Sequence, residues 1–563
     1  MSSLYVHFSF FLAFFLFSLV AFFFSFLLSL SSPLLLSLSF LSSTTFPLSL
    51  SFYFDVYSSW FGFVVLLIST VIMIYSYYYM APYAKSIYFL ILTSLFVVSM
   101  LLVVFMSSLF FVILGWDGLG LVSFLLIVYY QNRSSIFSGT FTLLMNRIGD
   151  SFFLCSIVLY FFSFPDSFRF SSLLCVSSIV GFLVVTFMTK RAIFPFSPWL
   201  PMAIAAPTPI SALVHSSTLV TSGLFLIMKY SYVLYSEFFI IEFLLISCVF
   251  TSFYAGINAL FERDLKKLIA LSTLSHLGFI GIAFSSGLLD LAFFHLLAHA
   301  LFKSLLFITM GDIIVSLRHS QDIRYLSIGG IYTPFSCFIM FIALFNLLGL
   351  PAVSGFFSKD LVLERLNYSS FSFFLYFMVL FNLGFTFFYT YQLFYYSFQP
   401  NKLSPFLSLS SPPLFHAFLL AVLAGSTLVF GKVFLLVLFP ILLFPVVPFR
   451  LKLLPLFLNF LFFCLLWVKK SQNIRASLSL IRYATSILFL YFFMTKLSSR
   501  FFYYSCYELT KSLELGVLNS RLNTKFPNFL FSLSKKALLL SMWNPLSSIL
   551  LFGGILIFII FFF

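Results

Sequence analysis

The sequence has 563 residues, 62% of them hydrophobic and 8% charged, with a mean hydropathy of +1.14. This composition excludes a soluble core and describes a polytopic membrane protein, with apolar stretches for about 14–16 spans at ~20 residues each. The net charge of +15 is uneven: residues 1–364 hold 14 Lys+Arg and 13 Asp+Glu, and residues 365–563 hold 16 and 2.

Residues 7–30 and 34–50 read as the first two spans, the second Ser-rich, and no charge of either sign precedes Asp55. The N-terminus lacks the Arg-rich, amphipathic look of an organelle transit peptide. Asp55 opens a span to about residue 75, with Tyr77, Tyr78 and Tyr79 at its end as an interfacial belt. Residues 86–132 hold two helices, and Asp117 is the only charge in them. Further apolar runs cover 141–163, 172–206, 209–228, 238–260, 267–288, 291–316 and 330–357. A weaker set covers 370–396, 414–448, 453–468 and 483–497. Residues 499–541 alternate apolar positions such as Leu509, Leu513 and Val517 with charges such as Glu508, Lys511 and Glu514. That pattern describes an amphipathic helix on a surface, on the order of 60 Å long. Residues 546–563 form a closing apolar anchor.

The chemistry concentrates where apolar helices are interrupted. In residues 186–228 the pair Lys190–Arg191 is followed by Pro195, Pro198 and Pro201, then by Pro207-Thr208-Pro209 and a fresh helix carrying His215. Residues 192–206 would make roughly 22 Å of helix, too short to span alone, and hold more proline than an unbroken helix tolerates. They read as the second half of a helix that begins near residue 172 and breaks close to Lys190. Thr208–Pro209 reads as N-cap and N1 of the next helix. A second broken helix, Leu350-Pro351-Ala-Val-Ser354-Gly355-Phe-Phe-Ser358-Lys359-Asp360, also carries a lysine and ends in a Lys359–Asp360 ion pair. Paired proline-interrupted segments are what two repeats of a transporter unit show.

Six further positions stand out, in three groups. Asp117 is a mid-span carboxylate, which requires a partner or water because inserting it costs ~3 kcal/mol or more. Arg147 and Asp150 lie three residues apart on one helical face and read as a structural pair. His295-x3-His299-x3-Lys303 places three titratable groups on one face of an apolar helix. No third ligand favours zinc there, and a proton relay through imidazole fits better. The six cysteines (Cys155, Cys175, Cys248, Cys337, Cys464, Cys506) show no ligand spacing, so no iron–sulfur, zinc or haem site is implied. Nor is there a GxGxxG or Walker loop in a soluble context. The basic charges are spaced singly between apolar runs, which argues against nucleic acid and points to anionic lipid head groups such as cardiolipin.

Seven stretches carry a resemblance: GWDGLGLVSFLLI, NRIGD, PFSPWLPMAIAAPTPISALVHSSTLVTSG, DLKKLIALSTLSHLG, HLLAHALFKSLLF, SQDIRYLSIGG and LPAVSGFFSKD. Across about residues 50–365 the chain resembles the subunit 5 family of respiratory NADH:ubiquinone oxidoreductase (complex I), antiporter-like membrane subunits encoded in mitochondrial genomes. The last 200 residues match only in plan. The resemblance implies an all-α polytopic fold of two inverted five-helix repeats containing broken helices, plus a C-terminal lateral amphipathic helix and a final anchor helix. The expected divisions are 1–85, N-terminal helices; 86–364, proton-translocating core; 365–498, C-terminal helices; 499–545, lateral helix; and 546–563, anchor.

By the same resemblance, Asp117 takes the place of the acid that pairs with Lys190, and His215, His295 and His299 fit the relay. Lys303 matches the central lysine and Lys359 that of the second broken helix, and Asp264 with Lys266 matches a polar pair starting a helix. Three departures accompany it. Aspartate at 117 replaces the usual glutamate, so contact with Lys190 calls for a water; His276 stands where glutamine is common; and Arg191 adds a charge beside Lys190. The implied function is NADH-coupled proton translocation across the mitochondrial inner membrane. NAD, FMN, iron–sulfur clusters and ubiquinone would be bound by other subunits, none by this chain. Implied partners are the other membrane-arm subunits, including antiporter-like neighbours along the lateral helix, and accessory subunits. The competing readings are a stand-alone cation/proton antiporter subunit and a scaffold that has lost pumping.

Overall fold

The computed structural model describes residues 2–30, 32–41, 48–80, 86–163, 172–351, 353–366, 373–398 and 414–438, together with Phe457, Ser532 and Lys535. The chain divides into two compact units, Met1–Thr485 and Ser486–Phe563, and every helix and strand described below belongs to the first. The expected spans at 453–468 and 483–497, the lateral helix and the anchor lie outside the described residues.

Helix α1 (Ser2–Leu30) is followed by strands β1 (Leu34–Leu41) and β2 (Leu48–Phe54), then α2 (Val56–Met80), α3 (Ser86–Phe105), α4 (Leu109–Ile127), α5 (Arg133–Ser163) and α6 (Ser172–Lys190). Short helix α7 (Trp199–Ala203) leads to α8 (Thr208–Ile210), which continues through a π-helical segment, Ser211–Thr218, into α9 (Leu219–Lys229). Next come α10 (Ser231–Leu234), α11 (Phe238–Phe261), α12 (Leu265–Ser285), α13 (Leu289–Ser316), α14 (Leu326–Tyr332), α15 (Pro334–Leu348), α16 (Ser354–Leu366), α17 (Phe373–Phe398) and α18 (Leu414–Leu438). Among the described residues eleven helices are long and apolar enough to cross a membrane, and the two shorter apolar ones, Ser177–Lys190 and Pro334–Leu348, are the first halves of the two broken helices.

One expected span is corrected. In place of a spanning helix over 34–50, strands Leu34–Leu41 and Leu48–Phe54 pair antiparallel, Leu36 opposite Phe52 and Leu38 opposite Leu50. A hydropathy average does not distinguish the two forms, but the Leu–Ser alternation in LLLSLSFL and LSLSFYF has the strand period of two. The hairpin joins the α3–α4 turn through Ser107 N–H to Ser51 O, 3.0 Å.

Helix α13 is the centre of the bundle. It packs against α2, α8, the π segment, α12, α15, α16 and α18. A helix covered on all sides must be apolar all round, and the most apolar stretches of α13, α12 and Thr208–Lys229 are wholly buried. The most apolar stretch of α1 is only 17% buried.

Both breaks have local causes. Helix α6 stops at Lys190 ahead of the three prolines, and Trp199 Nε1 donates to Thr189 O at 2.8 Å, satisfying a carbonyl that the helix end leaves open. Helix α15 stops at Gly349, whose φ of 75° is a left-handed conformation that costs glycine nothing. Ser354 Oγ then donates to Asn346 Oδ1 at 3.0 Å and ties the two halves together. The helix expected to begin with Thr208 as its cap instead has Pro207 at N-cap, which places Thr208 in its first turn.

Candidate functional site

At the first break, Lys190 ends α6 fully buried. Its ammonium donates to the Trp116 carbonyl at 2.7 Å and lies 4.3 Å from the centre of the Trp116 indole, a cation–π contact. Trp116 Nε1 donates in turn to Asp150 Oδ1 at 2.9 Å. Arg147 Nη1 reaches Asp150 Oδ2 at 3.3 Å and Asp117 Oδ1 at 4.0 Å. Five residues on three helices thus form one network.

This differs from the expected Asp117–Lys190 pair with Arg147–Asp150 standing apart. Asp117 pairs with Arg147, and both side chains are partly exposed, 39% and 47%. Asp150 is the buried acid and reaches the lysine through Trp116. Helix geometry explains the swap. Trp116 and Gly120, four apart, share the face of α4 that meets Lys190, and Asp117 is turned about 100° from Trp116 and about 60° from Gly120. Arg191, also fully buried, turns to α12 and donates to Leu277 O, so it does not join the Lys190 network.

His215 sits in the π-helical segment, buried, with neither ring nitrogen bonded among the described residues, and its ring meets Trp199 edge-on at 6.4 Å. The π turn is held by hydroxyls that reach back to carbonyls, such as Ser217 Oγ to Leu213 O at 2.9 Å. Such widened turns recur at functional sites.

The second cluster joins α12, α13, α16 and α17. Lys303 Nζ donates to Ser272 Oγ at 2.6 Å. The His299 ring lies 5.8 Å from that of His276, whose Nδ1 is 3.4 Å from His295 Nε2. His295 Nδ1 is 2.9 Å from Ser358 Oγ. The neighbouring Lys359 donates to Thr386 Oγ1 at 3.1 Å and reaches back across the second break to Leu347 O at 3.4 Å. All three histidines and both lysines are buried. Asp360 interacts electrostatically with Lys359. Among the described residues no three His, Cys, Asp or Glu side chains are placed to hold a metal ion.

Asp264 and Lys266 stand at the start of α12 without a bond to each other. Asp264 bonds Lys267 at 2.8 Å, and buried Lys266 reaches Ala206 O at 3.5 Å. Residues two apart on a helix do not face each other, whereas those three apart do.

Sequence reasoning did not place Ser272, His276, Ser358 and Thr386 in the site. A signal for two of them exists: α12 and α13 are consecutive antiparallel helices, and the Ser272-x3-His276 spacing mirrors His299-x3-Lys303 across their turn, Ser272 against Lys303 and His276 against His299.

Comparison with known proteins decides the family. The model of the NADH:quinone oxidoreductase/Mrp antiporter transmembrane family matches residues 106–386, and that of the NADH-ubiquinone oxidoreductase (complex I) chain 5 N-terminus matches residues 40–89. NADH-ubiquinone oxidoreductase chain 5 of Anopheles quadrimaculatus is 42% identical over 394 residues, covering 67% of this chain and 68% of that one. The chain belongs to the NADH-ubiquinone oxidoreductase chain 5 family. The chain 5 protein of Locusta migratoria is 40% identical over 410 residues, covering 70% of this chain and 69% of its own.

Solved structures share the chain 5 fold at greater distance. The Mrp complex of Dietzia sp. DQ12-45-1b aligns with a TM-score of 0.66 at 22% identity, over 82% of this chain and 54% of that one. The membrane-bound sulfane sulfur reductase, an archaeal respiratory membrane complex, aligns with a TM-score of 0.66 at 18% identity, over 76% and 90%. At these identities the likeness is one of fold.

Proposed function

We propose that this chain is a proton-translocating subunit in the membrane arm of NADH:ubiquinone oxidoreductase, in the mitochondrial inner membrane, with NADH oxidation and quinone reduction carried out on cofactors held by other subunits. The observation that carries this reading is the buried series Lys303, His299, His276, His295, Ser358 and Lys359 between the central helix and the second break, in which His276, His295 and Ser358 stand within hydrogen-bond reach in turn and the His299 ring packs against His276; imidazole can take up and release a proton near neutral pH. Each buried charge carries an insertion penalty, which a scaffold gains nothing by keeping.

In this reading, movement transmitted from the redox subunits shifts the carboxylates of Asp117 and Asp150 relative to Lys190. A change in neighbouring charge alters a lysine's hold on its proton, and coupling of that kind is a free energy shared between two sites. The proton passes by way of His215 toward Lys303, then along the histidines to Lys359. Asp264 with Lys267, and Asp360 beside Lys359, set the local field. Residues 86–364 form the translocating core in this scheme. The lateral segment 499–545 lies along neighbouring antiporter-like subunits, and accessory subunits and anionic lipids such as cardiolipin cover the rest.

A native gel of solubilised membranes, stained for NADH dehydrogenase activity with this chain located by mass spectrometry, tests the assignment. The reading expects the chain in a very large NADH-oxidising band. A small particle without flavin or iron would support a stand-alone cation/proton antiporter instead.

A further inference from the structure

One fully buried acid–base pair takes no part in the series above. Asp312 lies near the end of α13 and His416 near the start of α18, each side chain 1% exposed. The imidazole Nε2 lies 3.1 and 3.0 Å from the two carboxylate oxygens. The His416 ring stacks on Tyr75 at 5.4 Å and on Tyr78 at 5.7 Å, and its Nδ1 has no hydrogen-bond partner among the described residues. Asp312 is nine residues beyond Lys303, about half a turn round the helix, so the pair serves the face of α13 opposite the Lys303–Ser272 contact.

That face leads inward. The Tyr75 hydroxyl lies 2.9 Å from Thr208 Oγ1, and Gly311, beside Asp312, leaves the room: a methyl there would overlap the Tyr75 hydroxyl and come 3.1 Å from Thr208 Oγ1. Thr208 opens the helix that carries His215. Thr208, Ser211 and His215 follow at three- and four-residue steps along one helical face; each is at most 1% exposed, and Ser211 Oγ donates to Thr208 O at 2.8 Å. The column therefore begins about one turn inside the membrane face, at the C-terminal end of α13, and ends at the unpartnered imidazole of His215.

We infer that Asp312 and His416, with Tyr75, Thr208 and Ser211, form a proton port between that membrane face and His215. The inference rests on the reading of the chain as a proton-translocating subunit. Inside the pair a proton moves between carboxylate and imidazole without changing the net charge held in the bilayer, which avoids the several kcal/mol that an isolated buried ion costs. The Tyr75 and Thr208 hydroxyls, 2.9 Å apart, pass a proton on by each releasing its own inward as it accepts one from outside, and bridging water carries it past Ser211 to His215, whose ring nitrogens have no partner among the described residues. The other titratable groups facing the pair are Tyr79 from α2 and, past it, His319 in the turn after α13, whose ring meets Tyr79 at 6.0 Å.

The test counts protons moved per NADH by the assembled complex in sealed vesicles, at matched electron-transfer rate, for Asp312→Asn, His416→Gln and Tyr75→Phe beside Lys303→Ala. The port predicts that each variant lowers the ratio as far as Lys303→Ala does, and that combining either pair variant with Lys303→Ala lowers it no further. If Lys303→Ala lowers the ratio and the port variants match the unsubstituted complex, the port is wrong and the translocation reading stands. If Lys303→Ala also leaves the ratio unchanged, the translocation reading fails and the port with it. Should the pair variants not assemble, Tyr75→Phe decides, because it removes a single oxygen and keeps the ring stack.

Discussion

Substituting Trp116 by phenylalanine separates the roles of the first network. The Lys190 ammonium keeps its bond to the residue-116 carbonyl, which is backbone, and keeps an aromatic face beneath it. What disappears is the indole N–H that donates to Asp150 Oδ1 at 2.9 Å. Asp150 is buried, so its lost hydrogen bond is not replaced by bulk water, and a hydrogen bond to a charged group contributes about 1.5–3 kcal/mol. A factor of ten corresponds to about 1.4 kcal/mol, so any equilibrium set by the Asp150 position should shift on the order of tenfold to a hundredfold. The assay is the NADH-driven proton uptake rate of the assembled complex, read as a double-mutant cycle with Asp150→Asn. The cycle predicts strong coupling: Trp116→Phe slows uptake in the native background and adds little once Asp150 is neutral. Equal slowing by Trp116→Phe in both backgrounds would refute a link from Asp150 through the indole to Lys190.

Two further predictions follow from single contacts. Ser272→Ala removes the acceptor of the buried Lys303 ammonium at 2.6 Å and should slow uptake on the scale of one charge-assisted hydrogen bond, with Ser272→Thr restoring it; a slow threonine variant would make Ser272 a packing residue only. His319, in the turn after α13, has its imidazole held below its ordinary value of about 6.5 by burial and then by the positive charge of Lys266. The folded form thus binds fewer protons than the unfolded one, so stability is intact above that ordinary value and declines as the pH falls through it. The midpoint of thermal denaturation of the solubilised complex should drop less on acidification in His319→Gln than in the unsubstituted protein, and equal drops would remove His319 from the account.

The helices and both breaks were legible because their signals are local: long apolar runs, prolines, and lysines in the middle of them. The hairpin at Leu34–Phe54 was not, because a Leu–Ser alternation and a Ser-rich span have the same average hydropathy, and only the period separates them. Asp117 drew attention as the sole charge of its stretch, yet the buried acid is Asp150, whose sequence neighbour Arg147 suggested a self-contained pair. His276 looked like a substitution at a polar position; its place between His299 and His295 depends on the register of α12 against α13. Asp312 and His416 are 104 residues apart, on helices that meet only in the folded bundle, and no spacing rule reaches that far. Charges that act through tertiary contacts were the part that sequence pattern left open.

In the proposed scheme protons cross through Lys303 and leave by Lys359. It is tested most directly by counting protons per NADH in sealed vesicles that hold the assembled complex with Lys303→Ala or Lys359→Ala. The account predicts that either substitution lowers the count and that the two together lower it no further than one alone. A count equal to that of the unsubstituted complex in both variants would contradict it.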